Sequence, residues 1–274
     1  MADAPAAPPA PLYDPTLSFG ARLSQIAAEK PDAPAITDAT HTVTWRALDR
    51  RTNQIARGLT KAGVKLGDVV SIALPNTSGY LEVAFGLWKA GATPQMLSYR
   101  LPGNEADAIL QLAEAPILVT DGSVQSAYPS YSVEALLALG EDDNPLPDVT
   151  APVFKAATSG GSTGRPKLIM SGAPGIAMAT GGGVYRVGPD DTCVMPGPLY
   201  HNAPFTCSCN ALTQGAHVVL LPRFDPEETL KAVDRHKATW LYVVPTMMSR
   251  IWKLPDAVKA QYDVSSLHTV WHMA

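Results

Sequence analysis

The segment Thr158-Ser159-Gly160-Gly161-Ser162-Thr163-Gly164-Arg165-Pro166-Lys167 carries most of the chemistry legible in this sequence. Its glycines permit tight turns and let the backbone approach a ligand closely. Hydroxyl side chains and a lysine add further donors. Such a loop wraps a polyphosphate with successive backbone N–H groups while an ammonium neutralises charge. A plain flexible turn is the alternative, but linkers seldom combine this hydroxyl density with a terminal Pro-Lys. A Walker loop is excluded, because that motif runs from Gly-Lys-Ser/Thr into a helix. Here Arg165-Pro166 follow Gly164, and Leu168 stands where the magnesium-binding hydroxyl should be. Nor is GxGxxG satisfied, since Ser162 occupies its third position. Leu168-Ile169-Met170 reads as a strand, so the spacing predicts a strand–loop–strand hairpin without help from a helix dipole.

Other reactive side chains are more sparsely placed. His201 follows Pro198-Leu199-Tyr200, and on residue type alone it is either a structural histidine bonded to backbone or a functional one. His41, His217, His236, His268 and His272 show no metal-ligand spacing. Cys193, Cys207 and Cys209 form no CxxC pair and read as free buried thiols. Val244-Pro245-Thr246-Met247 reads as a strand-to-helix turn.

Short alternating elements must hold these groups. Thr44 is placed to cap a helix whose Leu48, Thr52, Ile55, Leu59 and Ala62 share one face, with Gly63 as its stop. Strands are expected at Val69–Leu74, Thr93–Leu97 and Ile117–Thr120, with helices at Gly79–Ala90 and Glu105–Ala113 between them. Gly140–Pro152 is acidic and proline-rich, and reads as an exposed connector. Beyond it come a strand at Val218–Leu221 and a helix started by Asp225-Pro226-Glu227-Glu228. A strand at Trp240–Val244 then leads into a helix that Thr246 is placed to cap. Leu267–Ala274 reads as a buried strand with no helix after it, from which the chain is expected to stop in mid-fold. The order implies an α/β fold with parallel-rich sheets covered by helices.

Composition narrows the classes further. The 274 residues carry 21 Lys+Arg against 25 Asp+Glu, a net charge of −4, and 46% are hydrophobic. That is too apolar for a disordered chain, and no basic excess is available for electrostatic binding of nucleic acid. There are 25 prolines, which fits many short elements punctuated by turns. Residues 1–15 read as a Pro/Ala tail lacking the basic start and apolar stretch of a signal peptide. No apolar run reaches the ~20 residues of a transmembrane helix, so a soluble, cytoplasmic protein is expected. The sequence leaves a homo-oligomer open.

The loop at 159–167 resembles the phosphate-binding signature of the adenylate-forming superfamily, which includes acyl-CoA synthetases, luciferases and peptide-synthetase adenylation domains. Ala156 departs slightly, standing where the family more often has a large apolar residue. Thr42-Val43-Thr44-Trp45 with Leu48, Gly67-Asp68-Val69-Val70 with Pro75-Asn76, and Leu87-Trp88-Lys89-Ala90-Gly91-Ala92 with Pro94 resemble further family blocks in the family's order. Pro198-Leu199-Tyr200-His201-Asn202 resembles the segment opening a helix beside the acyl pocket and thiol tunnel. By that likeness His201 would sit beside the carboxylate and gate an entrance, and Val244, Pro245 and Thr246 would join Asn202 along the acyl and thiol pocket.

The resemblance implies two steps: a carboxylate and ATP give an acyl-adenylate and pyrophosphate, then a thiol, usually coenzyme A, displaces AMP. Ser159, Ser162 and Thr163 would offer hydroxyls, Gly160, Gly161 and Gly164 backbone donors, and Lys167 charge to the phosphates. Thr163 would also meet Mg²⁺. On this likeness residues 16–274 are the N-terminal adenylation domain, truncated before its end. The adenine-stacking block with its magnesium-binding Glu, the ribose-binding Asp and the C-terminal lid would lie beyond residue 274, leaving this chain nearly inactive alone. No acid lies between Tyr200 and Gln214 to hold an amino group, which favours a fatty, aryl or sterol side-chain acid. The loop itself looks most like those of fatty-acyl or bile-acid-type CoA ligases. Transfer to a carrier-protein thiol, or a non-catalytic nucleotide-binding module, stays open.

Overall fold

The computed structural model describes residues 13–159, 166–178 and 183–272. The chain opens with strand β1 (Tyr13–Ser18), helix α1 (Phe19–Glu29) and the hairpin β2 (Pro34–Thr37) and β3 (Thr42–Thr44). Helix α2 (Trp45–Lys61), strand β4 (Val69–Ala73), helix α3 (Ser78–Lys89) and strand β5 (Thr93–Met96) follow. Next come α4 (Gly103–Leu112), β6 (Leu118–Thr120), β7 (Ser130–Tyr131) and α5 (Val133–Gly140). After the connector lie β8 (Ala156–Ser159), β9 (Lys167–Met170) and β10 (Ile176–Met178). The last part holds β11 (Thr192–Met195), α6 (Asn202–Thr213), β12 (His217–Leu220), α7 (Pro226–His236), β13 (Trp240–Val243), α8 (Pro245–Trp252), α9 (Asp256–Lys259) and β14 (Thr269–His272).

Two six-stranded sheets organise these elements. One runs β14-β13-β11-β12-β2-β3 and the other β7-β6-β4-β5-β8-β9, and each is parallel except for an antiparallel edge strand, β3 or β9. A small antiparallel pair joins β1 to β10. One apolar core spans both sheets, with Ile72 of β4 and Val218 of β12 in the same cluster. Helix α3 buries every residue but Gly79, as a helix covered on all sides must. Where α1, α3 and α6 meet, aromatic rings pack: Phe19 stacks on Trp88 at 4.3 Å, and Phe205 lies 6.0 Å from Trp88.

Local signals account for many of the boundaries. The Thr44 hydroxyl accepts from Ala47 N and starts α2, and Leu48, Thr52, Ile55 and Leu59 are buried on its inner face. The Asp225 carboxylate accepts from Glu227 N and Glu228 N, with Pro226 first in α7. Two expectations need correction. Thr246 does not cap α8; Val244 holds the cap position, and Pro245 already begins the helix. The final strand is not buried: β14 lies at a sheet edge with Val270 47% exposed. Its β-branched and aromatic composition marked a strand but carried no information about edge position. β1 also begins at Tyr13, inside the stretch 1–15 expected to be a tail. No helix among the described residues is long and apolar enough to cross a membrane.

His217 couples this framework to pH. Its Nε2 lies 2.8 Å from Thr37 Oγ1, tying β12 to β2, and burial, with His236 beside it, holds its pKa down at about 4. The unfolded chain protonates this ring near ~6.5. Between those values the unfolded state binds the extra proton, so acidification favours unfolding. The His217 contribution should be intact above pH ~6.5 and decline until the folded form itself protonates near 4. Urea midpoints measured across this window should show a shallower pH slope in His217→Gln; an unchanged slope would contradict the assignment.

Candidate active site

The phosphate-loop segment closes a hairpin, as the sequence predicted. β8 pairs antiparallel with β9, and Ser159 faces Lys167 across the loop ends. Gly160, Gly161, Ser162, Thr163 and Gly164 lie outside the described residues. Lys167 is exposed at the start of β9. A row of polar side chains, buried at Ser71 and Gln95 and half-buried at Thr158, fixes the hairpin to its sheet. The Ser71 hydroxyl of β4 donates to Gln95 Oε1 of β5, and Gln95 Nε2 donates to Thr158 Oγ1 of β8 at 2.9 Å.

A cavity of about 670 Å³ opens where the two sheets meet. Its walls come from segments just past the C-terminal ends of parallel strands: Asn76 after β4, Tyr99 and Arg100 after β5, Gly197–His201 after β11, Pro222–Phe224 after β12, and Val244 after β13. Ligands of open α/β sheets collect in such crevices, where strand ends leave loops free to diverge. Asn76 joins the sheets there. Its Nδ2 donates to Gly197 O at 2.8 Å and Leu221 O at 3.0 Å, and its Oδ1 accepts from Leu199 N at 2.8 Å.

His201 caps α6 by position and lines the cavity. Its imidazole makes no hydrogen bond among the described residues, so it is not the backbone-bonded structural histidine left open by residue type. Its ring centroid lies 4.6 Å from that of Tyr200, and burial lowers its pKa below the ordinary histidine value. Val244 also lines the cavity, whereas Asn202, Pro245 and Thr246 are exposed and outside its lining. Asn76, Tyr99, Arg100, Arg223 and Tyr242 were not anticipated as wall residues. Their shared signal was placement within a few residues of a predicted strand's C-terminal end or, for Tyr242, inside the strand.

The walls carry the guanidiniums of Arg100 and Arg223 and the imidazole of His201, but no carboxylate among the described residues. Neither arginine makes an ion pair among the described residues. That charge balance suits anionic ligands. The three thiols are buried and free, and burial pushes Cys207 up to about 12, which makes them inert. Among the described residues no group of three or more His, Cys, Asp or Glu side chains is placed to hold a metal ion. Thr163, the expected Mg²⁺ ligand, lies outside the described residues.

Residues 23–274 match the AMP-binding enzyme family. The chain belongs to that family. It is similar to feruloyl-CoA synthase of Amycolatopsis sp, with 32% identity covering 88% of this chain and 51% of that protein. It is also 28% identical to 2,3-dihydroxybenzoate-AMP ligase of Bacillus subtilis, covering 92% of this chain and 52% of that one. This AMP-binding chain thus spans about half the length of the curated relatives it matches. Among solved structures, a long-chain-fatty-acid-CoA ligase (FadD1) from Archaeoglobus fulgidus superposes with TM-score 0.79 at 21% identity, covering 95% of this chain and 58% of that one. The N-terminal domain of FACL13 from Mycobacterium tuberculosis gives 0.76 at 18%, covering 94% and 70%. At those identities the likeness establishes the fold.

Gly197 tests how tightly the wall is built. A Cβ there would lie 2.8 Å from Pro204 Cγ and 3.0 Å from Tyr242 Cε1, and neither ring has a flexible end to retreat. Gly197→Ala should destabilise the fold by roughly 1–3 kcal/mol, as overpacking does, and shrink the cavity. Chemical denaturation reads the first effect; a neutral result would mean the wall yields freely.

Proposed function

We propose that this AMP-binding chain forms the acid- and ATP-binding part of an AMP-forming acid–thiol ligase. The cavity between the two sheets carries the reading, because cationic and neutral groups line it and the His201 imidazole, which lines it too, has no hydrogen-bond partner among the described residues. A carboxylate entering there meets two guanidiniums and no carboxylate among the described lining residues. Ionised, it needs no general base, so positioning and charge stabilisation are what the protein supplies. Ser159, Gly160, Gly161, Ser162, Thr163, Gly164 and Lys167 would bind the ATP phosphates, with backbone donors and the Lys167 charge offsetting the phosphoryl oxygens. Mg²⁺, where bound, would add Lewis-acid stabilisation of those oxygens. His201 and Val244 would border the acyl group and the incoming thiol. Coenzyme A is the thiol that the named CoA-ligase relatives favour, and a carrier-protein thiol is the second reading. The 2,3-dihydroxybenzoate-AMP ligase relative, named for the adenylate alone, leaves the acceptor thiol open. We take the chain as the N-terminal adenylation domain of a longer enzyme. The acid would be a fatty, aryl or sterol side-chain acid, and the feruloyl-CoA synthase and dihydroxybenzoate-AMP ligase relatives support the aryl kind.

Titration calorimetry with non-hydrolysable acyl-sulfamoyl adenosines checks this reading. Analogues with aliphatic and aryl groups should bind, with affinity graded by the acyl group, and should raise the unfolding temperature by mass action. Failure of every analogue to bind, in a chain shown to be folded, would contradict it.

A further inference from the structure

A serine, a histidine, a threonine and an aspartate meet in a second crevice beside helix α3. It holds about 300 Å³, and its lining includes Asp38, Thr40, His41, Ser78 and Gly79. None of these lines the larger cavity. Ser78 opens α3 shortly after β4 ends at Ala73, so it stands past the C-terminal end of a parallel strand and at a helix start. It is 3% exposed, and a ligand reaches it only through this crevice.

Hydrogen bonds give each member a fixed role. Asp38, its side chain 2% exposed, accepts from Ser78 N at 2.9 Å, Thr40 N at 2.8 Å and His41 N at 3.1 Å. Burial alone would raise its pKa, but the bonds from Ser78, Thr40 and His41 outweigh burial and hold it at about 2. Asp38 is therefore a carboxylate that only accepts. The Thr40 hydroxyl has one hydrogen and gives it to Asp38 Oδ1 at 2.7 Å. Towards His41 Nδ1, 2.8 Å away, that hydroxyl must accept, which places the ring hydrogen on Nδ1. Neutral His41 then carries its lone pair on Nε2, the atom that meets Ser78 Oγ at 3.4 Å. This is the tautomer a general base needs. The separation is long, as hydrogen bonds between catalytic groups often are before substrate binds.

The start of α3 adds a donor. First-turn N–H groups have no acceptor within their own helix. That of Ser78 goes to Asp38 and that of Tyr80 to Thr77 O. Gly79, which follows the serine and lines the crevice, offers the next one. Glu82, Asp121 and Glu134 line the same crevice, which disfavours anionic ligands.

We propose that this crevice is a second reactive centre, in which Ser78 is the nucleophile and His41 its general base toward short, uncharged esters. Thr40 and Asp38 are positioning residues that act through the histidine, and such a set is recognised by geometry and roles, whatever its order in the chain. Ser78 Oγ bonds to the acyl carbon while His41 Nε2 takes its proton. The carbon–alkoxide bond breaks, and the alcohol leaves with that proton. Water, deprotonated by His41, then releases the acid and restores the serine. The Gly79 N–H would hold the oxyanion. This centre is independent of the acid-activation reading of the larger cavity.

An uncharged short-chain alkyl fluorophosphonate tests it, because attack forms an Oγ–P bond and expels fluoride. Peptide mass spectrometry of the wild-type chain should find the adduct on Ser78, and p-nitrophenyl acetate should be hydrolysed above the buffer rate. Ser78→Ala should lose both, and it keeps the backbone N–H at position 78 that Asp38 holds. His41→Ala should slow labelling of Ser78 by about 10²-fold or more, the scale of general-base catalysis. Thr40→Val should slow it as well, and Thr40→Ser, which keeps the hydroxyl, should restore it. The wild-type adduct is read even if a variant fails to fold. Absence of an adduct on Ser78 in the folded wild-type chain would overturn the inference, as would undiminished labelling of Ser78 in His41→Ala.

Discussion

The side chain of Asn76 is the joint on which the site depends. It stands past the end of β4 in one sheet and bonds to segments past the ends of β11 and β12 in the other. Its amide is fully used, with both donors and the acceptor satisfied in a residue only 3% exposed. Buried amides are costly when any such bond is missing, so the geometry admits one relative placement of the three strand ends. The cavity is the space left between them. His201 follows two residues after Leu199, whose N–H Asn76 holds, and its direction into the cavity comes from that constraint.

The second part of the site is held by a comparable device of shorter reach. Ser71, Gln95 and Thr158 form a hydrogen-bonded row across three neighbouring strands, which sets the height of the β8–β9 hairpin on its sheet. Both ends of the phosphate-loop segment therefore sit on a fixed framework. One polar row orients the hairpin, and one amide orients the cavity. Both begin at β4, so phosphate loop and cavity are referenced to the same strand. Under the proposed acid activation, which brings a carboxylate to a phosphorus atom, shared reference would matter more than the strength of either contact.

Much of this was legible in the residues because the controlling physics is local. Thr44 and Asp225 start helices through bonds to N–H groups two or three residues away, and spacing reveals such bonds directly. The hairpin around residues 159–167 could be read for the same reason, since Arg165-Pro166 forbids the helix that a Walker loop requires. Thr246 misled because Pro245 can itself begin a helix, and the cap position then falls one residue earlier. The reach of the site was not legible. Asn76 acts on residues more than a hundred positions away, and the presence of Arg100 and Arg223 in the walls of one cavity depends on strand order. Nothing in the local pattern marks either.

Hydrogen–deuterium exchange on Asn76→Ala tests the central claim most directly. If this amide joins the sheets, exchange should accelerate together at 197–201 and 221–224, segments that follow different strands, while the β11 and β12 ladders and helix α3 stay protected. Acceleration confined to residues beside position 76, with the two distant segments unchanged, would contradict the account.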